Sequence, residues 1–210
     1  DDGQTGPGGF GGGNNNLTIN GGYTAVDSIG DGFDINGSVD MTAGVLIING
    51  PTRNGDGPLD YDGAFTMSGG FLVAVGSSGM AQAPSTSSSQ NSVLVNLESA
   101  QPGGTIVHVG SEDGEEILTF APTKAYRSLA LSSPELKDGE TYVVYIGGSA
   151  TGSVTDSLYA DASYSPGTEV ARFTISSVVT AAGAAGGGFF GGAGVSGGRG
   201  GGQPPQPQQP

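Results

Sequence analysis

The sequence predicts an all-β protein: a parallel β-helix, then an antiparallel β cap or small sandwich, then a low-complexity tail. Three observations carry this. First, 42 Gly and 12 Pro in 210 residues, with only 12% charged and 35% hydrophobic residues, leave too little material for amphipathic helices with charged outer faces, which excludes an all-helical fold. Second, Leu17–Val26, Val39–Ile48 and Phe65–Ala74 align without gaps and begin 22 and 26 residues apart. Third, from Ser92 onward short β-branched and aromatic runs alternate with Gly-containing turns, as hairpins require.

Taken in order, residues 3–13 (GQTGPGGFGGG) form a Gly-rich insert, and residues 1–91 as a whole make the repeat domain. Each repeat holds two short apolar runs around a Gly-containing turn and lacks a helical period. A period in the twenties suits a parallel β-helix, whose single turns cannot bury an inner face alone. Leucine-rich repeats share the length but need a Leu ladder that is missing here, and a β-sandwich of hairpins is the competing architecture. Residues 83–91 (APSTSSSQN) read as a Ser-rich link. The second domain, 92–180, offers strands at Ser92–Leu97, Thr105–Val109, Glu116–Phe120, Tyr126–Leu131, Thr141–Tyr145 and Val170–Ile175. It is expected to cover the exposed end of the helix, where backbone groups would otherwise stand unpaired. Residues 181–210, ending QPPQPQQP, form a Gly/Pro/Gln tail expected to be extended. Its only large side chains are Phe189 and Phe190, and a neighbouring subunit is one surface on which the tail could dock.

Charge narrows the function. A net charge of −14 argues against nucleic acid or anionic lipid as partners. The absence of Cys excludes disulfides, zinc–thiolate sites and a cysteine nucleophile. No apolar run reaches membrane-spanning length, so no membrane insertion is expected. The Asp-rich start is not a signal peptide, and any export signal is expected to have been removed.

The acids themselves are patterned. Before residue 91 every acid is Asp, and every Glu lies at or beyond Glu98. Gly30-Asp31-Gly32-Phe33-Asp34-Ile35-Asn36-Gly37 aligns with Gly55-Asp56-Gly57-Pro58-Leu59-Asp60-Tyr61-Asp62-Gly63, placing Asp31 over Asp56, Asp34 over Asp60 and Asn36 over Asp62. Equivalent positions on neighbouring rungs stand about 4.8 Å apart, where two carboxylates repel by roughly 3–4 kcal/mol at an effective dielectric near 20. Arg53 is the only Lys or Arg in the first 123 residues. A bound cation is the economical remedy, and oxygen-only donors favour Ca²⁺. The candidate ligands are Asp31, Asp34, Asp56, Asp60 and Asp62, joined by Asp27 and by Asp2, whose Asp-Gly pair matches the other two. Against this stands the ordinary use of Asp-Gly in solvated turns.

Catalytic material is sparse, and no catalytic residue is assigned. His108 sits in an apolar strand, where a structural or surface histidine is expected rather than a base. Asp34 and Asp62 could pair as glycosidase acids, but their surroundings read as charged and wet. Arg53 beside calcium would suit proton abstraction from an acidic sugar, although a solvated turn arginine is the plainer reading. Tyr23, Phe33, Tyr61 and Phe71 are the aromatic residues of the repeat, and some must fill its interior. Ser77–Gln82 reads as a turn leading into the second domain, the alternative being a rim loop near the acidic ladder.

The stretches GDGFDINGSV from Gly30, NGPTRNGDGPLDYDG from Asn49, GSSGMAQAPS from Gly76 and SSPELKDGETYVVY from Ser132 resemble the calcium-binding, carbohydrate-binding β-helix family of bacterial surface proteins, best known from clostridia and similar in fold to polysaccharide lyases. The likeness covers about residues 14–180. It implies a right-handed parallel β-helix of which these are the C-terminal coils, bound Ca²⁺, and binding of cellulose or acidic plant polysaccharide at an extracellular or cell-surface location without catalysis. Family members carry further coils before the Asp-Asp-Gly element. The start at Asp1 therefore implies either a fragment or an open coil end that meets another copy. A self-assembling fibre or surface-layer subunit and a calcium-dependent polysaccharide lyase are the alternative functions.

Overall fold

The computed structural model describes residues 15–184 and the strand at 189–190, and among them there is no helix. The strands, in chain order, are β1 (Asn15–Asp27), β2 (Phe33–Ile35), β3 (Gly37–Asn49), β4 (Leu59–Tyr61), β5 (Phe65–Met67), β6 (Phe71–Gly76), β7 (Gln82–Ala83), β8 (Ser92–Gln101) and β9 (Val107–Ser111). They continue as β10 (Glu116–Phe120), β11 (Tyr126–Ser132), β12 (Thr141–Ile146), β13 (Ser149–Thr155), β14 (Leu158–Ser165), β15 (Thr168–Thr174), β16 (Val179–Gly183) and β17 (Phe189–Phe190).

The repeat alignment is the register of the first sheet. β1, β3 and the β5/β6 pair run parallel, with Leu17 beside Val39 and Val39 beside Phe65, then Tyr23 beside Val45 and Val45 beside Phe71. A second parallel ladder sets Phe33, Asp34 and Ile35 of β2 against Leu59, Asp60 and Tyr61 of β4. Side chains alternate in direction along a strand, and β3 and β6 bury both sets. Leu46, Ile48, Leu72 and Ala74 join Leu59, Phe65 and Met67 in one core, whereas Ile47, Val73 and Val75 face a second core. Burial on both faces explains why these runs read as nearly continuous apolar sequence.

The chain is all-β as expected, but the long sheet is mixed. Its order is β1-β3-β6-β11-β8-β16, with β5 also on β3. β11 lies antiparallel between β6 and β8, and β16 returns parallel to β8. The expected second domain thus hydrogen-bonds directly onto the repeat, and one sheet runs across the 91/92 junction. A fully antiparallel sheet, β13-β14-β10-β9-β12-β15, lies over it. Val107, Val109, Phe120, Tyr142 and Val144 supply its half of the second core.

The Ser-rich stretch is structural. Ser85, Ser88 and Gln90 are buried. The Phe65 and Met67 amides donate to the Ser85 and Ser88 hydroxyls, at 2.9 and 3.0 Å. The amides of Ser85, Ser89 and Gln90 donate back to the carbonyls of Phe65 and Met67. Side chains and main chain together take the place of a next rung beyond β5, satisfying groups that could not be buried unpaired. In the tail, the backbone of Phe189–Phe190 pairs parallel with Gln82–Ala83 of the same chain; the rest of residues 191–210 and the insert 3–13 lie outside the described residues.

Candidate acidic site

β2 and β4 are three-residue strands flanked by Asp-Gly and Asn-Gly turns, and they carry the acidic residues on the side away from the core. Asp34 and Asp60 are register partners, as the repeat alignment requires. Asp31 precedes β2, and its Oδ1 accepts the Gly57 amide at 2.7 Å. The approach is close: Gly32 donates to the Gly57 carbonyl at 2.9 Å, and a Cβ on Gly32 would lie 2.4 Å from the Pro58 oxygen. Asp62 follows β4 and is exposed, like Asp34.

Asp60 registers the crowding. Burial, followed by the charges of Asp31, Asp34 and Asp62, raises its carboxyl above the ordinary aspartate range. These four carboxylates therefore share one neighbourhood, and none of them has an ion-pair partner among the described residues.

The other candidates are accounted for differently. Asp56 accepts from Arg53, with Nη2 at 2.9 Å and Nε at 3.1 Å, so the turn arginine and the turn aspartate neutralise each other. Asp27 is bound by Lys124 Nζ and by the Thr123 hydroxyl at 2.8 Å. The lysine, ahead of an opposing burial effect, holds this carboxyl below its usual range. Lys124 Nζ also donates to the carbonyls of Ser28 and Asn49 at 2.6 and 2.9 Å. Asp2 lies outside the described residues. The structure thus gathers Asp31, Asp34, Asp60 and Asp62, and gives Asp27 and Asp56 to cations. Among the described residues, no group of three or more His, Cys, Asp or Glu converges as a ready-made ion cage. Sequence reasoning missed Lys124 as the partner of Asp27, because their separation of 97 positions leaves no local signal.

The aromatic residues of the repeat mostly serve the core. Tyr61 is buried and meets Phe65 edge-on at 5.9 Å, while Phe33 tilts against Phe65 at 6.0 Å. Phe71 packs on the second core. Tyr23 alone of the four is broadly exposed, at 48%. Its hydroxyl is raised in pKa first by partial burial and then by the neighbouring Asp156. His108 is structural: Nδ1 lies 2.8 Å from the Thr119 hydroxyl and the ring stacks on Tyr164 at 4.0 Å. Burial pulls its pKa down to about 4. Ser77 ties its turn to the preceding one by donating to the Asp56 carbonyl at 2.7 Å.

No protein-family model matches this chain, nor does any curated protein or solved structure. No helix among the described residues is long and apolar enough to cross a membrane.

Proposed function

We propose that the chain is a secreted, calcium-stabilised polysaccharide-binding protein of the bacterial cell surface, whose first half is a short right-handed parallel β-helix closed by the antiparallel sheet. One observation carries the reading: Asp34 and Asp60 stand in register on adjacent parallel strands, with Asp31 and Asp62 adding their charge at Asp60 and no ion-pair partner for any of them among the described residues. The donor set fits a hard divalent ion, being carboxylate oxygen with turn carbonyls nearby and no imidazole or thiolate. Asp31, Asp34, Asp60 and Asp62 would hold it. Calcium would supply neutralising charge and tie the two rungs together; the protein's own part is to fix the rungs, through the β2–β4 ladder and the Asp31–Gly57 bond. The assignment of polysaccharide as partner rests on the motif resemblance.

Calcium that binds only the folded state stabilises by mass action, by about 2.7 kcal/mol at a hundredfold excess over its dissociation constant. The thermal midpoint is expected to rise with Ca²⁺ and fall with chelator; identical midpoints would remove the metal. Pull-down on cellulose and polygalacturonate is expected to retain the protein on at least one, and retention on neither would remove the carbohydrate reading.

A second reading, a self-assembling surface subunit, is favoured by β1, which pairs only with β3 among the described strands. Sedimentation at high concentration separates the two, since an obligate monomer has no fibre role.

A further inference from the structure

We infer that a cleft at one end of the mixed sheet, where the turns after β3 and β6 meet the end of β8 and the start of β11, is a calcium-independent site for a sugar carboxylate, with Arg127 as its anchor. The cleft measures about 190 Å³ and is lined by Thr52, Asn54, Ser77, Ala100, Tyr126 and Arg127, among others. Ligand pockets for larger organic molecules run from roughly 300 Å³ upward, so this one suits a single ring with its substituent rather than a whole oligomer.

The charge pattern singles out Arg127. In a chain of net charge −14, Arg53, Lys124, Lys137 and Arg172 each pair with a carboxylate among the described residues, and Arg127 does not. Its Nε and Nη2 are instead spent on backbone, donating to the Leu97 carbonyl at 3.1 Å and the Glu98 carbonyl at 2.9 Å. These bonds fix the plane of the guanidinium. An arginine has five N–H donors, so the bonds to Leu97 and Glu98 leave the Nη1 end of the fork unspent. A planar fork of this kind matches a carboxylate with two parallel charge-assisted bonds.

The rest of the lining supports a sugar. The Thr52 hydroxyl and the Asn54 amide make no hydrogen bond among the described residues, whereas the Ser77 and Tyr126 hydroxyls are already bonded, to the Asp56 and Thr105 carbonyls. One positioned cation, one free hydroxyl and one free amide around a ring-sized cleft are the groups that recognise a uronate and its neighbouring hydroxyls. The competing cations beside the cleft are occupied: Arg53, between Thr52 and Asn54, by Asp56, and Lys124, next to Ala125, by Asp27.

This inference rests on the polysaccharide reading and narrows it to acidic saccharide at a site away from the aspartates. It is tested with the full chain and trigalacturonate in the presence of EDTA, by titration calorimetry and by amide chemical shifts. Trigalacturonate is expected to bind, neutral galactotriose to bind at least tenfold more weakly, and Arg127→Gln to lose at least tenfold in affinity. Asn54→Ala, at an exposed position, is expected to lose severalfold with an unchanged thermal midpoint. Wild-type shifts are expected at Thr52, Asn54, Ala125 and Arg127, which keeps the test decisive if Arg127→Gln fails to fold. Binding that vanishes in EDTA, or shifts confined to Asp31–Asp62, would overturn the cleft and leave the calcium-dependent reading standing. Equal affinity of Arg127→Gln and wild type would also overturn it. Failure of both calcium stabilisation and polysaccharide retention, by contrast, would overturn the functional reading itself.

Discussion

Two acidic regions of the same repeat are handled in opposite ways. At the end of β1, Asp27 meets Lys124 and Thr123 from the connection between β10 and β11, and its carboxyl is held low. On the β2–β4 ladder, Asp60 meets three further aspartates and its carboxyl is pushed up. The difference teaches that carboxylate spacing alone does not make a cation site. What matters is which carboxylates the few cations can reach. Lys124 reaches Asp27 at one end of the repeat and Arg53 takes Asp56, while Asp31, Asp34, Asp60 and Asp62 have no ion-pair partner among the described residues.

Lys124→Met is the largest expected break in this comparison. It takes the ammonium from Asp27 and a donor from the Ser28 and Asn49 carbonyls, of which Asn49 keeps the Ser28 amide, and costs about 1–2 kcal/mol, read from urea unfolding. The sign with pH follows from the lowered Asp27 carboxyl. Its contribution is fully present above the ordinary aspartate value and is lost as pH falls through the folded-state value, so the acid-dependent part of stability should shrink in the variant. An unchanged acid limb would detach Lys124 from Asp27.

Asp60→Asn sharpens the other side. The raised carboxyl of Asp60 favours the folded state at low pH and costs stability as pH rises through its folded value. Removing the charge is expected to stabilise the calcium-free protein by about 1 kcal/mol after solvent screening, and to reduce the calcium-induced rise in midpoint. Stabilisation without any loss of calcium response would mean that Asp60 is crowded but is not a ligand. The smallest effect belongs to Arg53→Ala. Its side chain is 74% exposed, and the exposed pair with Asp56 is worth about 0–1 kcal/mol. Melting in low and high salt should show a difference within that range.

The register of the acidic ladder was legible in the sequence because the flanking strand repeats align without gaps and the Asp-Gly and Asn/Asp-Gly ends of the acidic segments match once one residue is inserted, pairing Asp34 with Asp60. The strands β8 to β12 were legible because each has an apolar inner face. The hairpin of β13 and β14 was not: Ser149–Thr155 and Leu158–Ser165 are largely exposed and carry almost no apolar alternation to read. Its tip turns through left-handed backbone at Asp156 and Ser157, with φ of 46° and 74°, in the absence of a glycine that would have marked it. The serines at 85 and 88 were misread as a link because their composition mimics one, whereas their hydroxyls serve as backbone surrogates. Arg127 gave no signal at all, since its significance lies in the carboxylates that fail to approach it.

The serine seal at β5 gives the stack a direction. At one extremity the amides and carbonyls of Phe65 and Met67 are satisfied by Ser85, Ser88, Ser89 and Gln90; at the other, the Asn15–Asp27 strand has a single neighbour among the described strands. Past β5 the main-chain groups of Phe65 and Met67 have nothing left to offer a further strand, so a strand added to the repeat itself has its place beside Asn15–Asp27.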